Sequence, residues 1–225
     1  LRMELAEGIN KNENKCISLQ ELADAGGGRI EPDLLLAVID QILSGLAYAH
    51  QQGVVHRDLK PSNILMRQNP GAGKQEPSLQ AKISDFGLVR LVGEGWLSSQ
   101  AQLTVQHTIS LGDQQTEALG TSTRALLGTY EYMSPEQKDF GEADERSDIY
   151  SFGLLTYQLL TGRRLTGFPK PPSKIVEGLD SRWDEVVTSC LEADPEDRPG
   201  SAEEVSEAVA VLRQDQLVPG QCRRV

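Results

Sequence analysis

The sequence predicts a mainly α-helical domain organised around one central buried helix, with only a few short β-strands. Residues 147–160 carry a single charge, Asp148, and are otherwise nearly all apolar or small. A helix there has no polar face and must be enclosed on every side. Apolar residues recur at helical spacing in several other stretches, whereas runs with strand character are few and short.

Residues 1–6 (LRMELA) carry a short strand signal, ended by Glu7-Gly8 and a polar stretch. Glu31-Pro32-Asp33 opens a helix, because proline suits the first helical position and an acid in the first turn favours the helix dipole. Leu35, Val38, Ile39, Ile42, Leu46 and Ala49 give that helix one apolar stripe. Gly26-Gly27-Gly28 reads as a loop before a helix, since no strand precedes it and G-x-G-x-x-G spacing is absent. Val54-Val55 and Ile64-Leu65-Met66 are β-rich pieces, followed by a Gly/Pro/Gln loop at 68–80 and a short strand at Lys82-Ile83-Ser84. Residues 92–125 are rich in Ser, Thr, Gln and Gly and predict a long loop. Trp183, Val186, Val187, Cys190 and Leu191 form an amphipathic stripe. Val205, Ala208, Val209 and Leu212 form another, behind a capping box of Ser201 and Glu204. From about Gln214 the pattern stops, and a frayed tail is expected.

Composition narrows the function classes. The 225 residues carry 22 Lys and Arg against 33 Asp and Glu, a formal charge of −11. Nucleic acid and anionic membrane both require a basic face, so neither is expected as a partner. A solvated acidic surface accounts for the charge more simply than basic substrates do. Cys16, Cys190 and Cys222 stand far apart with no C-x-x-C pair, which points away from a disulfide framework or zinc site. That usage fits a reducing compartment, so a cytoplasmic location is expected, any membrane tether of the intact protein lying outside this segment. No apolar run is expected to approach a membrane span, and no signal peptide is visible. With Leu1 first and Met3 inside a strand-like run, the chain reads as a segment of a longer frame.

The chemistry concentrates in His56-Arg57-Asp58-Leu59-Lys60-Pro61-Ser62-Asn63. Phosphoryl transfer to a hydroxyl needs a carboxylate to orient the attacking oxygen and take its proton. It also needs a cation near the migrating group and oxygen ligands for magnesium. Asp58, Lys60 and Asn63 supply these within one loop. Asp85-Phe86-Gly87 follows, after another strand signal, and adds a second carboxylate at a turn that glycine permits. His50 and His107 have no metal-binding partners at useful spacing, and Cys190 belongs to the Trp183 stripe.

These segments resemble the catalytic loop and D-F-G turn of eukaryotic-type protein kinases, in their serine/threonine-specific branch. The resemblance covers nearly the whole chain. It implies a kinase C-lobe from the hinge onward, with the N-lobe absent: the end of an N-lobe strand and the hinge in 1–8, the C-lobe in 9–213 and a flexible tail in 214–225. The catalytic loop would be 56–63 and the activation segment 85–136. Asp58 would be the catalytic base, Asn63 and Asp85 the ligands of Mg2+ (or Mn2+), and ATP the phosphoryl donor. Lys60 implies Ser or Thr on a protein as the acceptor. Met3 would be the gatekeeper, Glu4 to Ala6 the hinge, and Leu65 the floor beneath adenine. Thr129 would hydrogen-bond Asp58 and Lys60. Arg57 would receive a phosphate carried by Thr121 or Thr123.

Gly128-Thr129-Tyr130-Glu131-Tyr132-Met133-Ser134-Pro135-Glu136 resembles the family's A-P-E close, with serine for alanine. By that resemblance Glu136 pairs with Arg198, Asp148 holds the catalytic-loop backbone, and His56 and Phe86 pack beneath the site. The style resembles bacterial members of the family. The sequence carries neither G-x-G-x-x-G nor V-A-I-K, and 67–80 looks like an insertion. The alternative reading is a non-catalytic kinase-like scaffold, a class that usually loses the equivalents of Asp58, Asn63 or Asp85.

Overall fold

The computed structural model describes residues 16–68, 79–86, 128–139 and 141–213. The strand signal at 1–6, the loop at 92–125 and the tail lie outside them, as do Met3, Glu4, Ala6, Gly87, His107, Thr121, Thr123 and Cys222.

Strand β1 (Ile17–Ser18) runs directly into helix α1 (Leu19–Ala25). The sequence reading missed both, although Ser18 and Glu21 have the spacing of a capping box. The Ser18 hydroxyl accepts from Glu21 N, and the Glu21 carboxylate accepts from Ser18 N at 2.7 Å. The glycines that follow are a loop between helices, where Gly27 and Gly28 take φ of 74° and 89°.

Helix α2 (Pro32–Gln51) starts at the predicted proline and buries the predicted stripe. Its length and composition alone would suit a membrane span, which corrects the expectation that no apolar run approaches one. Leu35, Val38, Ile39, Ile42 and Leu46 are instead almost fully enclosed in the core. The helix ends as Gly53, at φ 69°, donates to His50 O and Val54 N donates to Ala49 O. That use of Val54 explains a second correction. Val54-Val55 is no strand, because its backbone closes the helix instead of joining a ladder.

Strands β2 (Ile64–Gln68) and β3 (Leu79–Ile83) form an antiparallel sheet with β1 in the order β1-β2-β3. The loop expected at 68–80 is thus shorter at both ends, and Ser84 lies beyond β3. Ile64 and Met66 are buried while Leu65, on the opposite face, is half-buried and pairs with Lys82 and Ser18. Gln41 of α2 satisfies the open edge of β3, donating to Leu79 O and accepting from Ala81 N.

Helices α3 (Pro135–Lys138), α4 (Glu145–Thr161), α5 (Arg182–Cys190) and α6 (Ala202–Val211) follow along the chain. α4 is the central pillar. It packs on α2 and α5, and Ile149, Phe152, Leu155 and Leu159 are 1% exposed or less. Gly153 lets α5 approach, since a Cβ there would lie 2.8 Å from the Cβ of Cys190. Burial pushes the Cys190 thiol up to about 12, so it is an unreactive core group. α6 is capped by Ser201, which accepts from Glu204 N, but the Glu204 carboxylate takes Gly200 N, so the capping box is only half formed. Ala208 is exposed, which corrects its place in the expected stripe, while Ala202 is fully buried.

Candidate active site

The site begins at a buried acid. Asp148, in the first turn of α4, is fully enclosed. Its Oδ2 accepts from His56 N at 2.7 Å and its Oδ1 from Arg57 N at 2.7 Å. A third donor is His50 Nε2, 2.8 Å from Oδ2, at the end of α2. Because Asp148 can only accept, the His50 proton sits on Nε2, and Nδ1 is buried without a partner among the described residues. The backbone at His56 and Arg57 is thereby fastened to α4, and through His50 to the end of α2. The sequence showed only that His50 has no metal-binding partners at useful spacing, not this bond to Asp148.

His56 extends the bracing. Its Nδ1 accepts from Asp58 N at 3.2 Å, its Nε2 donates to Ser84 O at 2.8 Å, and its ring meets Phe86 edge-on at 4.6 Å. Arg57 sits at φ 69°, a left-handed conformation rare for a residue with a side chain. Asp85, exposed, takes φ 61°.

Asp58 follows Arg57. Its Oδ2 accepts from Lys60 Nζ at 2.8 Å and from Asn63 Nδ2 at 3.0 Å. Its Oδ1 is buried with no hydrogen-bond partner among the described residues. Lys60 Nζ also donates to Thr129 Oγ1 at 2.7 Å, so the ammonium bridges the two oxygens. The resemblance led us to expect Thr129 to bond both Asp58 and Lys60, and here it reaches only Lys60.

Asn63 spends its Nδ2 on the Asp58 backbone carbonyl and carboxylate, which leaves its Oδ1 for a cation. Ser84 ties Asn63 to the Asp85 turn, donating from N and Oγ to Asn63 O at 2.8 and 3.0 Å. One amide oxygen and one carboxylate are hard oxygen donors that fit Mg2+, an ion usually shared with substrate phosphates. Among the described residues no group of three or more His, Cys, Asp or Glu forms a metal site of its own.

Beyond the loop, Arg198 forms a two-pronged pair with Glu136 at 2.8 and 2.9 Å. Its other donors go to the carbonyls of Glu192, Ala193 and Arg146, so every guanidinium N–H is used. The guanidinium also lies 4.8 Å from the centre of the Tyr150 ring. Burial tends to raise the Glu136 pKa, but hydrogen bonds from Arg198 and Ser147 outweigh it and hold the carboxyl down at about 2. A lowered folded pKa gives stability that is complete above the ordinary value of 4.5 and lost as pH falls through about 2. Between pH 5 and 2.5, the urea midpoint of the native protein should therefore fall more steeply than that of Glu136→Gln. Parallel pH profiles would contradict this.

Ser134 departs from the family's alanine for a local reason. It caps α3, accepting from Gln137 N, while Gln137 Oε1 accepts from Ser134 N. Gln137, unremarked in the sequence, also donates from Nε2 to Arg57 O at 3.0 Å. The S-x-x-Q spacing could have revealed the cap, though not the cross-link.

A model of the protein kinase domain matches residues 12–210, and the chain belongs to the protein kinase family. It is 32% identical over 206 residues to the serine/threonine-protein kinase PknL of Mycobacterium tuberculosis, covering 85% of this chain and 44% of that protein. It is 34% identical over 200 residues to the serine/threonine-protein kinase pkn2 of Myxococcus xanthus, covering 81% and 21%. The chain thus spans less than half the length of these relatives. The crystal structure of the M. tuberculosis PknI kinase domain is similar in fold, with a TM-score of 0.58 at 23% identity, over 87% of this chain and 62% of that one.

Proposed function

We propose that this chain is the catalytic part of a serine/threonine protein kinase, moving the γ-phosphoryl group of ATP to Ser or Thr hydroxyls of a protein. The observation that carries this reading is the Asp58 carboxylate, with one oxygen held by Lys60 and Asn63 and the other lacking a donor among the described residues. A substrate hydroxyl is the donor that second oxygen lacks. As the hydroxyl oxygen bonds to the γ-phosphorus, Asp58 takes its proton and ADP leaves with the electrons of the broken P–O bond. Lys60, held between Asp58 and Thr129, keeps a positive charge beside the oxygens where negative charge gathers. Asn63 Oδ1 and the Asp85 carboxylate would hold Mg2+ or Mn2+, which when bound neutralises phosphate charge. The serine/threonine kinases among its relatives support this acceptor class.

Adenine would lie on Leu65, read by the hinge at Glu4 to Ala6 with Met3 as gatekeeper. The phosphate-gripping lysine and glycine-rich loop would come from an N-lobe outside the 225 residues, without which turnover would be slight. Arg57 has no hydrogen-bond or ion-pair partner for its guanidinium among the described residues and would receive phosphate from Thr121 or Thr123. The full-length polypeptide, given γ-labelled ATP and peptides offering Ser, Thr and Tyr, should label Ser and Thr. Label confined to Tyr would overturn the acceptor assignment. No label despite MgATP binding would favour the scaffold reading.

A further inference from the structure

Gln137 is joined to two parts of the chain by chemically opposite ends. Its Oε1 faces Ser134 N, which can only donate, at 3.0 Å, and its Nε2 faces Arg57 O, which can only accept, at 3.0 Å. The neighbours therefore fix the amide's orientation. A capping box is served equally by glutamate, and negative charge is favourable in the first turn of a helix. The cap alone gives no reason for an amide. The Arg57 carbonyl does, because glutamate would present a second acceptor to it.

That carbonyl belongs to the residue whose backbone is left-handed and which directly precedes Asp58. Asp148 grips the same residue from its other side, through Arg57 N. Arg57 is thus held at its N–H from α4 and at its C=O from α3, and the peptide that follows carries Asp58. We propose that Gln137 is a positioning residue for the transfer step. By fixing the Arg57–Asp58 peptide, it keeps the unpartnered Asp58 oxygen aimed at the incoming hydroxyl, and it makes that aim depend on the docking of α3. The inference rests on the reading of Asp58 as the base.

The test compares Gln137→Glu, Ser134→Ala and Asp58→Asn in the full-length enzyme. Measurements are kcat and KM for a Ser peptide, MgATP affinity, and the thermal midpoint. Gln137→Glu keeps the acceptor for Ser134 N and loses only the donor to Arg57. It should lower kcat at least tenfold while peptide KM and MgATP affinity change less than twofold. Ser134→Ala removes the capping hydroxyl but keeps the backbone bond to Gln137, so it should lower the thermal midpoint with kcat within threefold. A Gln137→Glu enzyme with kcat within twofold of native would overturn the inference. So would an equal kcat loss in Ser134→Ala, which would reduce Gln137 to a structural cap. If Asp58→Asn itself stays active, the underlying reading fails instead.

Discussion

Asp58→Asn is expected to lower phosphoryl transfer by about 10²–10⁴ while leaving MgATP affinity nearly intact, the range associated with a positioned general base. The substitution is nearly isosteric, and its remaining carbonyl oxygen can still accept from Lys60 Nζ and Asn63 Nδ2, now at 2.8 and 3.0 Å from Oδ2. The backbone clamps on His56 and Arg57 do not involve the Asp58 side chain. What changes is the other oxygen. Where the native acid presents an unpartnered acceptor, asparagine presents an N–H2 that cannot take a proton. Steady-state kinetics on a Ser peptide with calorimetric MgATP titration would check this. Activity within threefold of native would remove Asp58 from the role of base.

The parts of the fold that sequence made legible are those whose information is local. The stripes of α2 and α5 are periodic in the chain and burial follows the period, while α4, apolar on every face, is buried nearly all round. Val54-Val55 misled because β-branched residues signal a strand only where a ladder is available, and here a helix end claims the Val54 N–H. Ala208 misled because a small residue at stripe spacing is weak evidence of which side of the stripe's edge it occupies. In the site, Asp58, Lys60 and Asn63 lie close together in sequence, so their cluster could be read directly. His50 and Gln137 could not. Each acts across the fold, His50 on Asp148 and Gln137 on Arg57, and only the packing of α2, α3 and α4 brings these residues within hydrogen-bond distance. Long-range polar contacts have no period to detect.

Arg198→Ala is expected to destabilise the protein by about 3–5 kcal/mol, the cost of leaving one partner of an enclosed ion pair behind. Arg198 itself is 4% exposed, and its guanidinium ties together three parts of the fold: Glu136 in α3, Arg146 in α4, and the Glu192 and Ala193 carbonyls after α5. After truncation, Glu136 keeps the Ser147 Oγ donor but loses both bonds from the guanidinium, and the three carbonyls lose the donor that now reaches them. Lysine should not rescue the loss, because a single ammonium cannot reproduce two parallel bonds to a carboxylate. Glu136→Gln/Arg198→Met, which removes both charges together, should cost less than Arg198→Ala if the penalty comes from the stranded acid. Urea unfolding of the three variants would separate these contributions, provided native and unfolded states alone are populated. A change below about 1 kcal/mol for Arg198→Ala would mean that water replaces the guanidinium at little cost. The pair would then serve to set the position of α3 beneath the catalytic loop, and its loss would appear in kcat before it appeared in stability.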